Sequence, residues 1–291
     1  SAQGYYSYWP AKKNMLLRSD STGETVSITI QEYPKYFYLD NLHHFWEKQW
    51  NEDMAEDMYI KEKKPISAVP SGKGYYYTLR DTGSSKSIER LVILDDHFKY
   101  SLYGVSDTLT GLTGLTKTIF DSFKPLSSSG QNDIYHDNMH LFFDDLFSTD
   151  STTHKKALNA LTSVHFKFKD VPLMMKAITE VNPTVKDYFE IKTGLISELG
   201  FVNDTITDKI PLFLKTIYAQ TADTSLFQNA AIKSLARIPS SLSYSILKKI
   251  FLQDPPVFEN DGDYSYLFDY LEDSLELARP LFPELLALTT L

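Results

Sequence analysis

Hydrophobic positions in the second half of the chain repeat three times. Residues 172–178, 211–217 and 244–250 share one pattern of apolar residues around a lysine. Each follows a second apolar segment, and these are marked by Leu158 and Leu161, Ile196 and Leu199, and Ile232 and Leu235. A repeat of roughly 40 residues built from two helices is typical of HEAT-type α-solenoids. Residues 151–291 are therefore predicted to form an all-α, HEAT-like repeat domain.

The first 126 residues show a different pattern, in which short strand-like runs alternate with two helical runs. Strands are predicted at residues 4–9, 14–18, 25–31, 74–80, 88–94 and 99–104, and helices at 42–58 and 112–123. The last three strands are joined by short turns and form an antiparallel meander. The order predicts a two-layer α+β sandwich over residues 1–126, an antiparallel sheet with helices on one face. Residues 127–150 are predicted as a linker with a short helix.

The net charge, the lack of cysteine and the length of the apolar runs exclude several classes of function. The formal net charge of −9 argues against a phosphate-binding surface that covers the whole molecule, and no nucleic-acid partner is expected. Cysteine is absent, which excludes disulfides and thiolate chemistry. No apolar run is long enough to form a transmembrane segment. The sequence begins at Ser1 without Met, and we expect a mature or excised segment.

The most specific candidate for chemistry is the pair His136 and His140. If residues 135–147 form a helix, the two imidazoles lie four residues apart on one face and both reach one Zn²⁺. A third ligand at a convincing distance is missing, and the residue after the first histidine is Asp137 instead of the glutamate of zinc hydrolases. A metal-dependent hydrolase using His136 and His140 is one alternative; otherwise no cofactor is expected.

Aromatic and basic residues supply the candidate binding positions. Tyrosines crowd into the first hundred residues, and their number predicts that some rings face a partner, with Tyr36, Tyr38 and Tyr76 as candidates. Lys176, Lys215 and Lys248 recur at corresponding places in the three repeats and predict a basic ladder on one face. The interpretation that follows is a non-enzymatic binding or scaffolding segment that recognises protein or peptide. A second alternative is a small-molecule-binding module with a pocket between the sheet and residues 42–58.

The order of elements resembles known families. Residues 1–126, with Asp121-Ser122-Phe123 ending the last helix, resemble the Mog1/PsbP-type α+β fold. Their pairing with HEAT-like repeats, and residues 273–286 in particular, resemble the accessory, non-catalytic region of TraB/GumN-type proteins of Bacteroidota. The G-x-x-H element of that family's metal site is absent, so no catalytic residue carries over. The resemblance implies an exported protein, periplasmic or associated with the outer membrane, linked to an upstream catalytic domain.

Overall fold

A computed structural model describes most of the chain. The described residues are 12–39, 41–54, 57–66, 73–95, 97–125, 134–202, 204–205, 207–258 and 261–282. Contacts divide the chain into two compact units, Ser1–Phe142 and Phe143–Leu291. We call them the sheet unit and the helical unit and describe each by itself. An antiparallel sheet followed by a helical region is thus confirmed at this coarse level.

The sheet unit is built on a six-stranded antiparallel sheet with strand order β1-β2-β6-β5-β4-β3. The strands are β1 (Lys12–Arg18), β2 (Thr25–Glu32), β3 (Met58–Ile66), β4 (Lys73–Asp81), β5 (Lys86–Asp95) and β6 (Phe98–Asp107). Helix α1 (Leu42–Asp53) connects β2 to β3 at the opposite edge, and α2 (Gly114–Ser122) follows β6. The side chain of Asn41 caps α1 by accepting from the His44 N–H at 3.0 Å.

The two helices lie on opposite faces of the sheet, so the prediction of helices on one face is wrong. Leu91 and Ile93 of β5 belong to a buried cluster with Phe120 of α2. Their neighbour Val92 belongs to a second cluster with Trp46 of α1. Since successive side chains of a strand point to opposite faces, the sheet has a helix on each side. The uninterrupted apolar run in β5 is what a strand buried on both faces requires.

Burial on both faces also accounts for the aromatic surplus in this unit. Trp46 packs edge-on against Tyr75 with ring centroids 4.8 Å apart, and Tyr33 stacks on Phe37 at 4.4 Å. On the other face Tyr76 meets Phe120 edge-on at 6.3 Å. The aromatic residues before position 12 lie outside the described residues.

Strand β3 is not among the strands predicted from the sequence, because its residues are mostly polar. Residues 61–64 are all charged and Pro65 follows, and this composition suits an edge strand with little burial. The helix predicted over residues 42–58 therefore ends earlier, at Asp53. A register shift between Ile60 and Glu62 leaves Lys61 as the extra residue of a β-bulge.

Residues at the start of the predicted linker pack into the sheet unit. Ile134 is 1% exposed and lies in the cluster with Trp46. Its carbonyl accepts a hydrogen bond from the Leu39 N–H at 2.7 Å. Phe142 meets Tyr36 edge-on at 5.1 Å. These contacts show that the sheet unit extends to residue 142, beyond the boundary predicted at residue 126. Residues 126–133 lie outside the described residues.

The helical unit consists of α-helices joined by short turns. Helix α3 (His140–Leu146) begins before the boundary at Phe143, and the helices that follow it are α4 (Ser151–Ala160), α5 (Val171–Glu180), α6 (Tyr188–Leu199), α7 (Lys209–Gln220), α8 (Ser225–Arg237), α9 (Ser241–Gln253), α10 (Asp261–Glu272) and α11 (Leu275–Ala278). Helix α8 is central: it packs against α6, α7, α9 and α10. Helix α7 also packs on α9, and α5 on α6.

Candidate functional site

Helices α5, α7 and α9 bury one side at corresponding positions. Met174, Leu214 and Leu247 are completely buried. Ile178, Tyr218 and Phe251, each four residues further on, are also buried. Because residues four apart lie on the same helix face, these positions define a common register for the three helices.

In this common register, one of the three lysines predicted to be equivalent occupies a different position from the other two. Lys215 and Lys248 each follow the fully buried leucine directly and share one position. Lys176 lies two residues after Met174 and therefore corresponds to Thr216 and Lys249. One residue is about 100° around a helix, so Lys176, Lys215 and Lys248 do not form one straight ladder. Local contacts differ as well: Lys176 lies 3.9 Å from Glu180, and Lys248 donates to the Pro280 carbonyl at 3.1 Å.

The outer sides of α7 and α9 form a surface that is basic and partly apolar. We call it the basic surface and define it by Leu212, Lys215, Lys249 and Leu252. Leu212 is 49% and Leu252 is 61% exposed, and both lysines are exposed. Helices α7 and α9 together carry four lysines and no acidic residue. This is a strong local excess of positive charge in a chain of net charge −9.

The three predicted tyrosines occupy different environments. Tyr36 is 2% exposed and packs against Phe142, so it is a core residue and not a surface contact. Tyr38 is half-buried. The Tyr76 hydroxyl donates to Glu89 beside a cleft on the α2 face of the sheet. Burial, together with the hydrogen bond to Glu89, raises the pKa of Tyr76.

The predicted histidine pair does not lie on one helix face. Helix α3 begins at His140, and His136 precedes it in non-helical chain. The reason is local: the Asp137 carboxylate accepts from the Met139 N–H at 3.0 Å and forms a turn that delays the helix. The i, i+4 geometry on which the zinc hypothesis depended is therefore wrong. Within the described residues, no three His, Asp or Glu side chains are grouped so that they hold a metal ion.

The interface between the sheet and α1 is filled by side chains. Trp46 is 3% exposed there. Near the end of α1, Asp53 accepts from Arg90 Nη2 at 2.7 Å and Nε at 3.2 Å. It also accepts from the Tyr77 hydroxyl, while Lys99 Nζ donates to Gln49 at 3.0 Å. These contacts fill the centre of the interface, but a groove of 840 Å³ remains at its edge, between α1 and the β3 residues Ile60 and Lys63. The small-molecule pocket predicted between the sheet and residues 42–58 therefore stays a prediction.

The start of α2 is already capped by a carboxylate. Glu24 accepts from the Leu115 N–H and from the Thr113 hydroxyl, each at 3.1 Å. Hydrogen bonds, the largest from Thr22, lower the pKa of Glu24. A helix N-terminus attracts anions, and here the protein's own anion takes that place.

Comparisons with known proteins give no family. No family model matches the chain, and no curated protein matches it. A solved structure titled "Lipid-protein interactions in lipovitellin" is similar over 94% of this chain, at 10% identity and a TM-score of 0.23. The chain spans only 27% of the length of that protein, and so low a score supports no argument about fold or function. The resemblance to the TraB/GumN accessory region and the exported location stay predictions. Among the described helices none has the length and apolar character needed to cross a membrane.

Proposed function

We propose that this chain is a non-enzymatic binding protein whose helical unit, a HEAT-like α-solenoid, recognises an acidic protein or peptide segment. The observation that carries the proposal is the basic surface: α7 and α9 expose leucines and lysines and contain no acidic residue. The packing of α6, α8 and α10 in one row and of α7 on α9 in another supports a solenoid, because repeats of this kind stack like helices on like.

The chemistry of the surface defines the partner. Exposed leucines on neighbouring helices favour apolar side chains, because burying apolar area contributes about 25 cal/mol per Å². Lysines favour carboxylates and accelerate association when the partner is acidic. An amphipathic segment with leucines on one face and glutamates beside them meets both requirements.

Binding of a fluorescent 20-residue amphipathic peptide of Leu and Glu, measured by anisotropy, tests the proposal. The double variant Lys215→Glu/Lys249→Glu should weaken binding by about tenfold or more, because two attractive charges become repulsive. The matched control is Lys155→Glu/Lys156→Glu, which makes the same charge change at exposed positions of α4 and should leave binding nearly unchanged.

Three results would overturn the proposal. The first is the absence of peptide binding by the unmodified chain. The second is an equal loss of affinity in both double variants, which would assign the effect to overall charge. The third is a single-stranded oligonucleotide that binds more tightly than the peptide and responds to Lys215→Glu/Lys249→Glu, which would make the surface a nucleic-acid site.

A further inference from the structure

The sheet unit contains a cleft on the face that carries α2. It lies between β3, β4 and β5 on one side and α2 with the segment before it on the other, and it has a volume of 770 Å³. This is within the range of about 300–1,000 Å³ typical of small-ligand pockets. All residues that line the cleft belong to the sheet unit.

The strand register separates an apolar end from a polar end. At the apolar end Ile66 and Ile93 flank Gly74 on the neighbouring strands, and Phe120 of α2 lies close by. Arg80 is six residues further along β4, a distance of about 20 Å. Leu91 and Tyr76, which face each other in the register, continue the apolar wall between the two ends.

Two cationic side chains at the polar end lack a hydrogen-bond or ion-pair partner among the described residues. The bulge in β3 places Lys61 beside the cleft together with Glu62, and bulges often re-aim a side chain at a functional site. Glu62 is paired with Lys64 at 2.8 Å. Arg80 Nε is buried and, among the described residues, has no hydrogen-bond partner. Neither Lys61 nor Arg80 forms an ion pair with any described residue. A buried guanidinium nitrogen without a partner is costly, and an anion in the cleft would satisfy it.

The buried carboxylate of Glu89 is not available to those cations. Glu89 Oε2 accepts from Thr78 at 2.7 Å and from Tyr76. Glu89 Oε1 accepts from Ser106 at 2.9 Å and from Ser87 at 3.2 Å. A carboxylate has about four acceptor sites, so hydroxyl groups satisfy Glu89 completely. The hydroxyl network fixes the floor of the cleft and leaves Arg80 and Lys61 for a ligand.

We propose that this cleft binds a small organic acid with an extended apolar body, whose carboxylate meets Arg80 and Lys61 and whose apolar body lies toward Ile66 and Ile93. The charge of the polar end selects an anion, and the apolar wall selects a hydrocarbon chain. This site is independent of the basic surface of the helical unit.

Calorimetric titration of the full chain with decanoate, methyl decanoate and decylamine tests the charge assignment. Decanoate should bind most tightly, the neutral ester about tenfold more weakly and the amine more weakly still. Arg80→Gln and Lys61→Gln should each weaken decanoate binding by about tenfold, because a hydrogen bond to a charged group is lost. Lys48→Gln is the matched control: Lys48 is an exposed lysine of α1, on the opposite face of the sheet, and its loss should not affect binding.

The apolar end has its own test. Ile66→Ser should weaken binding of hexadecanoate, whose chain spans the distance from Arg80 to Ile66, but leave binding of the shorter decanoate unchanged, and circular dichroism establishes that each variant is folded. The proposal is overturned if none of the three ligands binds, if decylamine binds as tightly as decanoate, or if Lys48→Gln has the same effect as Arg80→Gln. An acidic peptide that displaces decanoate at lower concentration would instead make the cleft a peptide site.

Discussion

The buried carboxyl group of Glu198 makes the stability of the helical unit depend on pH. Glu198 lies near the end of α6 and is 9% exposed. Burial raises its pKa from 4.5 to about 8, although the charge of Arg237 acts in the opposite direction. Arg237 itself is held by other groups: it lies 3.9 Å from the Phe201 ring and 4.1 Å from the Tyr270 ring. Glu198 is therefore protonated in the folded protein at neutral pH.

The magnitude and sign follow from proton linkage. Between pH 4.5 and about 8 the folded state keeps a proton on Glu198 that the unfolded chain has lost, so the free energy of unfolding decreases as pH rises. The contribution is fully present below the unfolded pKa and is lost once the pH passes the folded value. Each pKa unit corresponds to 1.36 kcal/mol, so the whole loss is about 5 kcal/mol.

The substitution Glu198→Gln removes this titration and keeps the size of the side chain. Urea unfolding followed by circular dichroism at 222 nm, at intervals from pH 5 to pH 9, measures the free energy of unfolding. The wild-type protein and the variant should be similar at pH 5, and the variant should be more stable by several kcal/mol at pH 9. Glu180→Gln is the control, because Glu180 is exposed on α5 and its removal should leave the pH profile unchanged.

Two outcomes contradict this argument. If the pH profiles of wild type and Glu198→Gln run parallel, the carboxyl group is not held in its neutral form by burial. If Glu198→Gln is less stable than wild type at pH 9, the carboxylate is ionised and its attraction to Arg237 outweighs desolvation.

Two further predictions concern the sheet unit, and urea unfolding followed by tryptophan fluorescence measures both. Asp53→Ala leaves the Arg90 guanidinium, of which the side chain is only 14% exposed, without its carboxylate and should destabilise the unit by about 3 kcal/mol. The neighbouring exposed Glu52→Ala should cost less than about 0.5 kcal/mol, and equal effects would show that the Asp53–Arg90 pair does not stabilise the unit. Gly104→Ala places a Cβ 2.8 Å from Thr116 Cγ2 and should lower the free energy of unfolding by about 1–3 kcal/mol through overpacking. Gly83→Ala is the control, because its Cβ contacts only an Asp81 oxygen at 3.6 Å. An equal loss of stability in both variants would contradict a close approach of α2 to the sheet.

Much of the fold was predictable because hydrophobic period is a local property of the sequence. Short alternating, apolar or aromatic-rich runs at residues 25–31, 74–80, 88–94 and 99–104 predicted β2, β4, β5 and β6, and the repeated apolar pattern predicted α5, α7 and α9. Strand β3 was not predictable in this way, since an edge strand owes its conformation to pairing with β4 and not to burial of its own side chains.

The layer arrangement was the larger error, although its signal is present in β5. Alternation of apolar and polar residues along a strand predicts a sheet with one solvent-exposed face, but residues 91–94 are apolar at every position. A strand of that kind needs cover on both sides, so α1 and α2 had to lie on opposite faces. The number of aromatic residues points the same way, because two core layers hold more rings than one.

The candidate binding residues show why sequence spacing alone is insufficient. Lys176, Lys215 and Lys248 were aligned by the identity of their neighbours, yet the buried positions place Lys176 one residue out of register. Arg80 carries no sequence motif at all. It became a candidate only because β4 and β5 bring it beside a carboxylate, Glu89, that four hydroxyl groups already satisfy. A cationic side chain is available for binding when its neighbours leave its hydrogen-bond donors unpaired, and this depends on strand pairing between residues distant in sequence.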